Sequence, residues 1–302
     1  MSTTFTIRSA RTDDVETAAA LLNDLSRALH GTDDTSAAEL LNYWETPDVD
    51  LEKDVLLAEA ADGALIGYAD VGIYGDAVWL DVRGRDAEPL AALLSAIEAR
   101  GAEKKPGKRL LGYVTEKDRA VRDLYTRNGY RVIRHGFRME IDLDGPLVEP
   151  QWPEGIAVRT FQDGDEQGVY EAHMESFADT WMFWRTPFDE WTHWFLKDPA
   201  FDPSLWFLAE ANEELVGVAL TRPSESEPDT GWIRVLGVVP AHRRRGLAQA
   251  LLHRAFAEFA SRGFKRVGLG VDAENPTGAV RLYERAGMHV ARVNLQYERV
   301  QP

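Results

Sequence analysis

Hydrophobic residues in the second half of the chain alternate in some stretches and recur every three or four positions in others. The alternating or continuous apolar runs predict strands, and the spacing of three to four predicts helices. The predicted strands are Ile156–Thr160, Leu205–Ala211, Leu215–Arg222, Trp232–Val239, Arg266–Asp272 and His289–Arg299. The predicted helices are Asp165–Phe177, one capped by Thr186 with Pro187 as its first residue, Gly246–Arg262 and Gly278–Ala286. This order of elements predicts a mixed α/β sheet with a parallel crossover.

The chain contains an internal repeat with an offset of roughly 150 residues. Four segments recur in the same order: Phe5–Asp14 as Ile156–Asp165, Val55–Ala60 as Trp206–Ala211, Ala64–Ala69 as Glu214–Ala219, and Asp123–Tyr130 as Arg281–Met288. A period this long is not that of a solenoid, so it indicates a duplicated domain. Residues 144–155, which hold three prolines and two glycines, read as a linker. The predicted domains are therefore 1–143 and 156–302.

Composition and charge narrow the function classes. The chain has 302 residues, no cysteine and a net charge of −16, which excludes disulfides, thiolate nucleophiles and cysteine-bound metal sites. Residues 234–302 carry a balance of +7 and the rest of the chain −23. A body this acidic disfavours nucleic acid as a partner, and a basic island in it indicates a small anionic ligand. With neither a signal peptide nor an apolar span in the sequence, we expect no membrane association and a cytoplasmic location.

The segment Val235–Ala248 combines features of a phosphate site. A strand ends, three arginines occupy a short turn, and Gly246 and Ala248 open a long helix. Small residues let a phosphate approach the backbone, where the free N–H groups and the positive dipole end of the helix face it. The spacing is neither that of a nucleotide P-loop nor that of a dinucleotide-binding turn.

This segment resembles the pyrophosphate motif of the GNAT acyltransferase superfamily, R/Q-x-x-G-x-G/A, filled here by Arg243, Gly246 and Ala248. Downstream, Asn275-Pro276 and Ala279–Met288 are similar to the second motif of that superfamily. The two copies resemble tandem GNAT proteins. The resemblance implies an α/β fold of two tandem GNAT-like domains, each a mixed, mostly antiparallel sheet flanked by helices.

The resemblance also implies a reaction and a set of site residues. Acetyl-CoA, or another acyl-CoA, would serve as co-substrate, with no metal, and a small-molecule amine would accept the acyl group. Tyr283 would lie beside the thioester sulfur as general acid. Groups that bind the co-substrate would come from Leu236 and Val238 along the pantetheine arm, from Arg243, Arg244, Arg245, Gly246, Leu247 and Ala248 at the pyrophosphate, and from Asn275 in the next loop.

The chemistry of amine attack on a thioester explains these residue types. A strand N–H near Val238 would polarise the carbonyl, and Tyr283 would protonate the departing thiolate. The general base stays open, because no carboxylate occupies Trp232–Leu236, where many GNAT enzymes have a glutamate. The remaining candidates are His173, Glu175, His193, Glu227 and Asp229.

The first copy departs from the motif. Its strand Ala77–Val82 leads into a turn with no second small residue at the motif spacing, and Asp86 and Glu88 would repel a phosphate. Tyr125 and Gly129 still match the second motif in outline. We therefore interpret the first domain as a degenerate GNAT domain that is retained for structure or for shaping the acceptor cleft.

The segment Phe177–Phe207 holds five of the nine tryptophans. These rings either pack at the interface between the two domains or supply a surface, at Trp181 or Trp184, on which an acceptor stacks.

Three functions remain open on these observations. The first is an active small-molecule N-acyltransferase, monomeric or a homodimer. The second is a CoA-binding sensor without turnover, favoured by the missing strand carboxylate. The third is a protein acetyltransferase that modifies lysine or an N-terminus.

Overall fold

The computed structural model describes residues 4–301, which form two compact units. The first unit runs as far as His135 and also includes the residues from Val293 onward, and the second unit is Gly136–Arg292. In each unit six strands carry helices on both faces, which is the mixed α/β fold class expected.

In the first unit the strand order is β1-β2-β3-β4-β5-β12, with β4 and β5 parallel and the other pairs antiparallel. Its elements up to the unit boundary are β1 (Phe5–Ser9), α1 (Val15–His30), α2 (Ala37–Trp44), α3 (Leu51–Asp54), β2 (Val55–Ala60), β3 (Leu65–Tyr74), β4 (Ala77–Gly84), α4 (Ala87–Lys104), β5 (Arg109–Thr115), α5 (Arg119–Arg127) and the start of β6 (Arg131–Asp142).

In the second unit the order is β6-β11-β10-β9-β8-β7, with only β10 and β11 parallel among these pairs. Its elements are β7 (Ala157–Thr160), α6 (Glu166–Phe177), α7 (Phe188–Leu196), β8 (Trp206–Ala211), β9 (Glu214–Pro223), β10 (Thr230–Val238), α8 (Leu247–Ser261), β11 (Arg266–Asp272), α9 (Ala279–Arg285) and the start of β12 (His289–Val300). The predicted strands and helices of this half are confirmed, with ends that shift by a few residues. One helix cap differs, because Pro187 and not Thr186 is the N-cap of α7.

The unit boundaries differ from the predicted domains because of two strands. Gly136–Asp142 of β6 pairs with β11, and Asn294–Val300 of β12 pairs with β5. Both strands have similar apolar patterns and follow a similar helix in each repeat, so their patterns do not specify which sheet each joins. The segment 144–155 contains no helix or strand, and its Leu147 and Trp152 pack on the core of the second unit.

In the second unit the two sheet faces carry different helices. On one face, α8 and α9 cover a cluster that includes Ile233, and on the other α6 and α7 cover a cluster that includes Val235. Two residues at this spacing would normally share a face. A β-bulge between them places the extra residue Arg234 in β10 and turns Val235 to the opposite side. Within residues 4–301, no helix is both long and apolar enough to span a membrane.

Candidate active site

A cleft opens between the two parallel strands of the second unit. The pairing of β10 with β11 runs from Thr230↔Arg266 to Ile233↔Leu269 and stops there. On its other side β10 stays paired with β9 as far as Val238. The last residues of β10 therefore have a strand neighbour on one edge only.

The backbone of Leu236 and Val238 faces this cleft. The N–H of Val239 donates to the carbonyl of Val216, next to β9, at 3.0 Å. Because successive residues of a strand direct their N–H groups to opposite edges, those of Leu236 and Val238 point away from β9. The two residues expected to contact a pantetheine arm thus lie at the open edge.

Beyond β10, the chain folds into a loop with consecutive unbonded amides. Arg244 has φ +61° and Gly246 has φ +87°, and such alternation turns neighbouring N–H groups toward one point. Within the described residues, the N–H groups of Arg244, Arg245, Gly246, Leu247 and Ala248 have no hydrogen-bond acceptor. This run continues into the N-terminus of the 15-residue helix α8, an arrangement that favours binding of an anion such as a phosphate group.

The three arginines of the loop behave differently. Arg243 donates from Nε to the carbonyl of Val238 at 3.1 Å and from Nη2 to the carbonyl of Ser176 at 2.9 Å. It also pairs with Asp179 and holds the pKa of that carboxyl below its usual range. Its own N–H lies 3.3 Å from the carbonyl of Pro240. Arg243 is therefore committed to protein contacts, and the free amides begin at Arg244.

Arg244 and Arg245 are exposed and have no ion-pair partner in the part of the chain that the structure describes. Arg245 lines a pocket of about 170 Å³, together with His242, Asn212 and the segment Pro153–Ile156. Two cationic side chains next to the free amides add to the attraction for an anion.

Tyr283 lies on α9, on the α8 and α9 face of the sheet. Its side chain is buried, and burial raises the pKa of its hydroxyl to about 12. Within residues 4–301 that hydroxyl makes no hydrogen bond. Tyr283 is thus protonated at neutral pH and has a proton to donate.

Asn275 lies in the loop between β11 and α9. Its Oδ1 accepts from the N–H of Thr277 at 2.9 Å and from the Thr277 hydroxyl at 2.5 Å. These bonds form a turn that fixes the side chain. Its amide NH₂ has no acceptor among the described residues, so it remains a donor for a ligand.

Glycines shape the face of the cleft that α6 covers. A Cβ at Gly268 would lie 2.6 Å from the ring of Trp232, whereas a Cβ at Gly270 would have nothing within 4 Å. A Cβ at Gly237 would lie 2.9 Å from Cβ of Ser176. The sequence analysis missed Gly270 and Ser176, although glycines at 268 and 270 inside one strand are a signal of close approach by another group.

The candidate bases lie in unlike surroundings. His173 is surrounded by Phe177 and Phe195 and accepts a hydrogen bond from Trp191 at 3.0 Å. Burial, and secondarily the charge of Arg234, lower its pKa to about 4. Glu227 is paired with Arg138 at 2.7 Å and Arg292 at 3.4 Å. His193 is buried on α7, and Glu175 and Asp229 are exposed.

The bulge residue of β10 is an arginine that is held by protein contacts. Arg234 donates to Asp198 at 2.6 Å and to the carbonyl of Trp194 at 2.7 Å. The strand thus presents a paired arginine where a carboxylate would act.

Most of the tryptophan-rich segment packs in the interior of the second unit. Trp191 and Trp206 belong to the buried cluster under α6 and α7, and Trp191 stacks on Phe195 with ring centroids 5.1 Å apart. Trp184 is 46% exposed, so it is available to a ligand.

Residues 167–288 match the model of the acetyltransferase (GNAT) family. A mycothiol acetyltransferase of Thermobispora bispora is 37% identical over 54% of this chain and 56% of its own length. The chain therefore spans about half of that relative. A mycothiol acetyltransferase of Geodermatophilus obscurus is 33% identical over 81% of this chain and 82% of its own length.

Among solved structures, a GCN5-related N-acetyltransferase from Sphaerobacter thermophilus has a TM-score of 0.79 and 32% sequence identity. The match covers 99% of this chain and 96% of that one. The likeness thus extends over both repeats.

Proposed function

Because the chain belongs to the GNAT family of acetyltransferases, we propose that its second unit binds acetyl-CoA and passes the acetyl group to the primary amine of a small molecule by direct attack in a ternary complex. The observation that carries this proposal is the cleft between β10 and β11, which ends at a run of free amides. The relatives named above are mycothiol acetyltransferases, which supports a small-molecule acceptor over a protein lysine.

In this proposal the phosphates of acetyl-CoA lie against the amides that begin at Arg244, with the dipole of α8 behind them. The pantetheine arm follows β10, where the N–H groups of Leu236 and Val238 bond to it as they would to a neighbouring strand. The amide of Asn275 donates from the opposite side of the cleft. Arg243 contributes by fixing the loop and not by contacting phosphate.

The transfer step forms a bond between the amine nitrogen and the thioester carbon and breaks the carbon–sulfur bond. The N–H of Val238 stabilises the negative charge that develops on the carbonyl oxygen. Tyr283 gives its proton to the departing thiolate. Its pKa of about 12 exceeds that of a free thiol, but the same burial raises the pKa of the thiolate, so the two groups become better matched. The proton released by the nitrogen passes to water.

The test is release of free thiol from acetyl-CoA with a matched panel of cationic, neutral and carboxylated small amines, and with a lysine peptide. We expect turnover with small amines and little with the peptide. At low salt, the acidic body of the protein predicts that cationic amines react fastest.

Coenzyme binding without turnover on any amine would instead identify a sensor. Turnover on the peptide alone would identify a protein acetyltransferase.

A further inference from the structure

Ser176 carries a buried hydroxyl that no protein group satisfies. The residue lies near the end of α6 with 6% of its surface exposed, and its Oγ has no hydrogen-bond partner within the described chain. A serine inside a helix usually bonds to the carbonyl one turn earlier, and Ser176 does not. Leaving a buried hydroxyl unpaired destabilises the folded protein, so a ligand that pairs with it gains a corresponding advantage.

The hydroxyl lies against the strand that faces the cleft. A Cβ at Gly237 would approach Oγ of Ser176 to 3.0 Å, and any larger residue at 237 would displace it. Gly237 stands between Leu236 and Val238, whose N–H groups point into the cleft. Ser176 is therefore adjacent to the backbone that would hold the thioester carbonyl.

The sheet face on which Ser176 lies favours a role in binding the acceptor. The phosphate loop, α8 and Tyr283 lie on one face, which is the side of the co-substrate and its sulfur. Ser176 and the open position at Gly270 lie on the other face. With the co-substrate on the first face, as the proposed function has it, the second face is the side left for the attacking amine.

One arginine fixes the distance between Ser176 and the strand. Arg243 donates to the backbone carbonyl of Ser176 at 2.9 Å and to that of Val238 at 3.1 Å. The hydroxyl and the cleft are thus held by one side chain, and Asp179 holds that side chain in place. Such pre-positioning is what orientation of a reactant requires.

We propose that the Ser176 hydroxyl binds the attacking amine of the acceptor by accepting an N–H hydrogen bond from it. This rests on the proposed function. The hydroxyl orients the nitrogen and takes no proton, so the bonds formed and broken remain those of the transfer step above.

The experiment compares S176A with S26A. Ser26 on α1 of the first unit is also 6% exposed and also has an Oγ without a partner among the described residues, so S26A is a matched control. For the best amine of the panel, we expect S176A to lower kcat/KM by about 3- to 10-fold, the equivalent of one lost hydrogen bond. We expect the Kd of acetyl-CoA to stay within twofold of wild type, and the Tm to stay the same or rise by a few degrees, because an unpaired buried hydroxyl is removed. S26A should change the Tm in the same direction and leave kcat/KM and the Kd of acetyl-CoA unchanged.

Unchanged amine kinetics in S176A would overturn this proposal alone. An equal loss of acetyl-CoA affinity in S176A would overturn it too, because the hydroxyl would then belong to the co-substrate site. A wild-type protein without turnover on any amine would overturn the proposed function and this proposal with it.

Discussion

The two units carry a parallel strand pair that splits at the same point, yet a tyrosine fills the split in one unit only. In the first unit the pairing of β4 with β5 ends at Leu80↔Gly112. The hydroxyl of Tyr125 donates to the carbonyl of Leu80 at 3.1 Å, and a Cβ at Gly112 would lie 2.3 Å from the Tyr125 ring. In the second unit the Tyr283 hydroxyl has no partner among the described residues. The tyrosine hydroxyl is bonded across the gap in the first unit and has no partner among the described residues of the second unit.

Strand β4 of the first unit also differs from its counterpart β10 in the second unit. The pairing of β3 with β4 continues without a bulge through Asp70↔Asp81 to Gly84, and Arg83 pairs with Asp81 at 2.6 Å. In the second unit the bulge at Arg234 exchanges the two sheet faces on which the side chains after it lie. The backbone of the first unit supplies a splayed sheet, but its charged side chains pair with each other.

The helix starts that follow β4 and β10 also differ. Helix α4 has Asp86 as its N-cap and Glu88 in its first turn, so its dipole is already matched by carboxylates. Helix α8 has no acidic residue in its first turn and follows Gly246. We therefore expect the start of α8, and not that of α4, to bind an anion.

The largest expected effect comes from placing a carboxylate at the start of α8. We expect Gly246→Glu to abolish acetyl-CoA binding, because the carboxylate occupies the phosphate position. Titration calorimetry should give one site per chain for wild type and none for the variant.

Backbone strain needs its own control, since Gly246 has φ +87°. Gly164 has φ +100° and open space around it, so Gly164→Glu imposes similar strain of about 1–2 kcal/mol away from the loop. It should bind acetyl-CoA normally. Two equal sites in wild type would contradict the contrast between the units.

The second effect separates the two tyrosines. Tyr283→Phe removes the proton donor and should lower kcat by roughly 10²–10⁴-fold with little change in acetyl-CoA affinity. Tyr125→Phe breaks one buried hydrogen bond and should lower the free energy of unfolding by about 1 kcal/mol without changing kcat. Steady-state kinetics and urea unfolding of both variants check this. A Tyr283→Phe enzyme within about threefold of wild type would make Tyr283 structural.

Local patterns in the sequence predicted the helices and strands well, but they did not predict which strands pair with each other. The alternation in β10 and the helix signals of α8 identified both elements, because burial on one face depends on neighbouring residues alone. The exchange of β6 and β12 depends on pairings between distant segments, and similar patterns in the two strands cannot specify it. Confirmed elements thus coexist with different unit boundaries.

The same distinction between local and long-range information applies to the candidate site. Motif spacing located the loop at Gly246 and the helix of Tyr283, since both depend on short-range backbone geometry. It included the backbone amide of Arg243 among the groups that bind the ligand, whereas in the structure that N–H donates to the carbonyl of Pro240. The side chain of Arg243 joins Ser176 to Val238. Spacing places a residue near a site, but which atoms its side chain meets depends on segments far along the chain.

The smallest effect concerns the acidic strand face of the first unit. Burial and the charge of Asp81 raise the pKa of Asp70 to about 7, and Tyr43 donates to this carboxyl at 2.9 Å. In the unfolded chain the carboxyl titrates near 3.8. Between these two values the folded state holds the extra proton. The free energy of unfolding therefore falls as pH rises from about 4 to 7 and stays lower above that.

Asp70→Asn removes the cost of ionising a buried carboxyl and keeps an oxygen that can accept the hydrogen bond from Tyr43. At pH 8 we expect the variant to be more stable than wild type by on the order of 1–3 kcal/mol, a gain that shrinks toward zero near pH 4. Urea unfolding at a series of pH values measures it, with the exposed Asp123→Asn on α5 as control. Acetyl transfer should be unaffected, because this carboxyl belongs to the first unit, where α4 begins with Asp86 and Glu88. A stability gain independent of pH would show that Asp70 is ionised in the folded state, and a loss of turnover would show that the first unit contributes to the reaction.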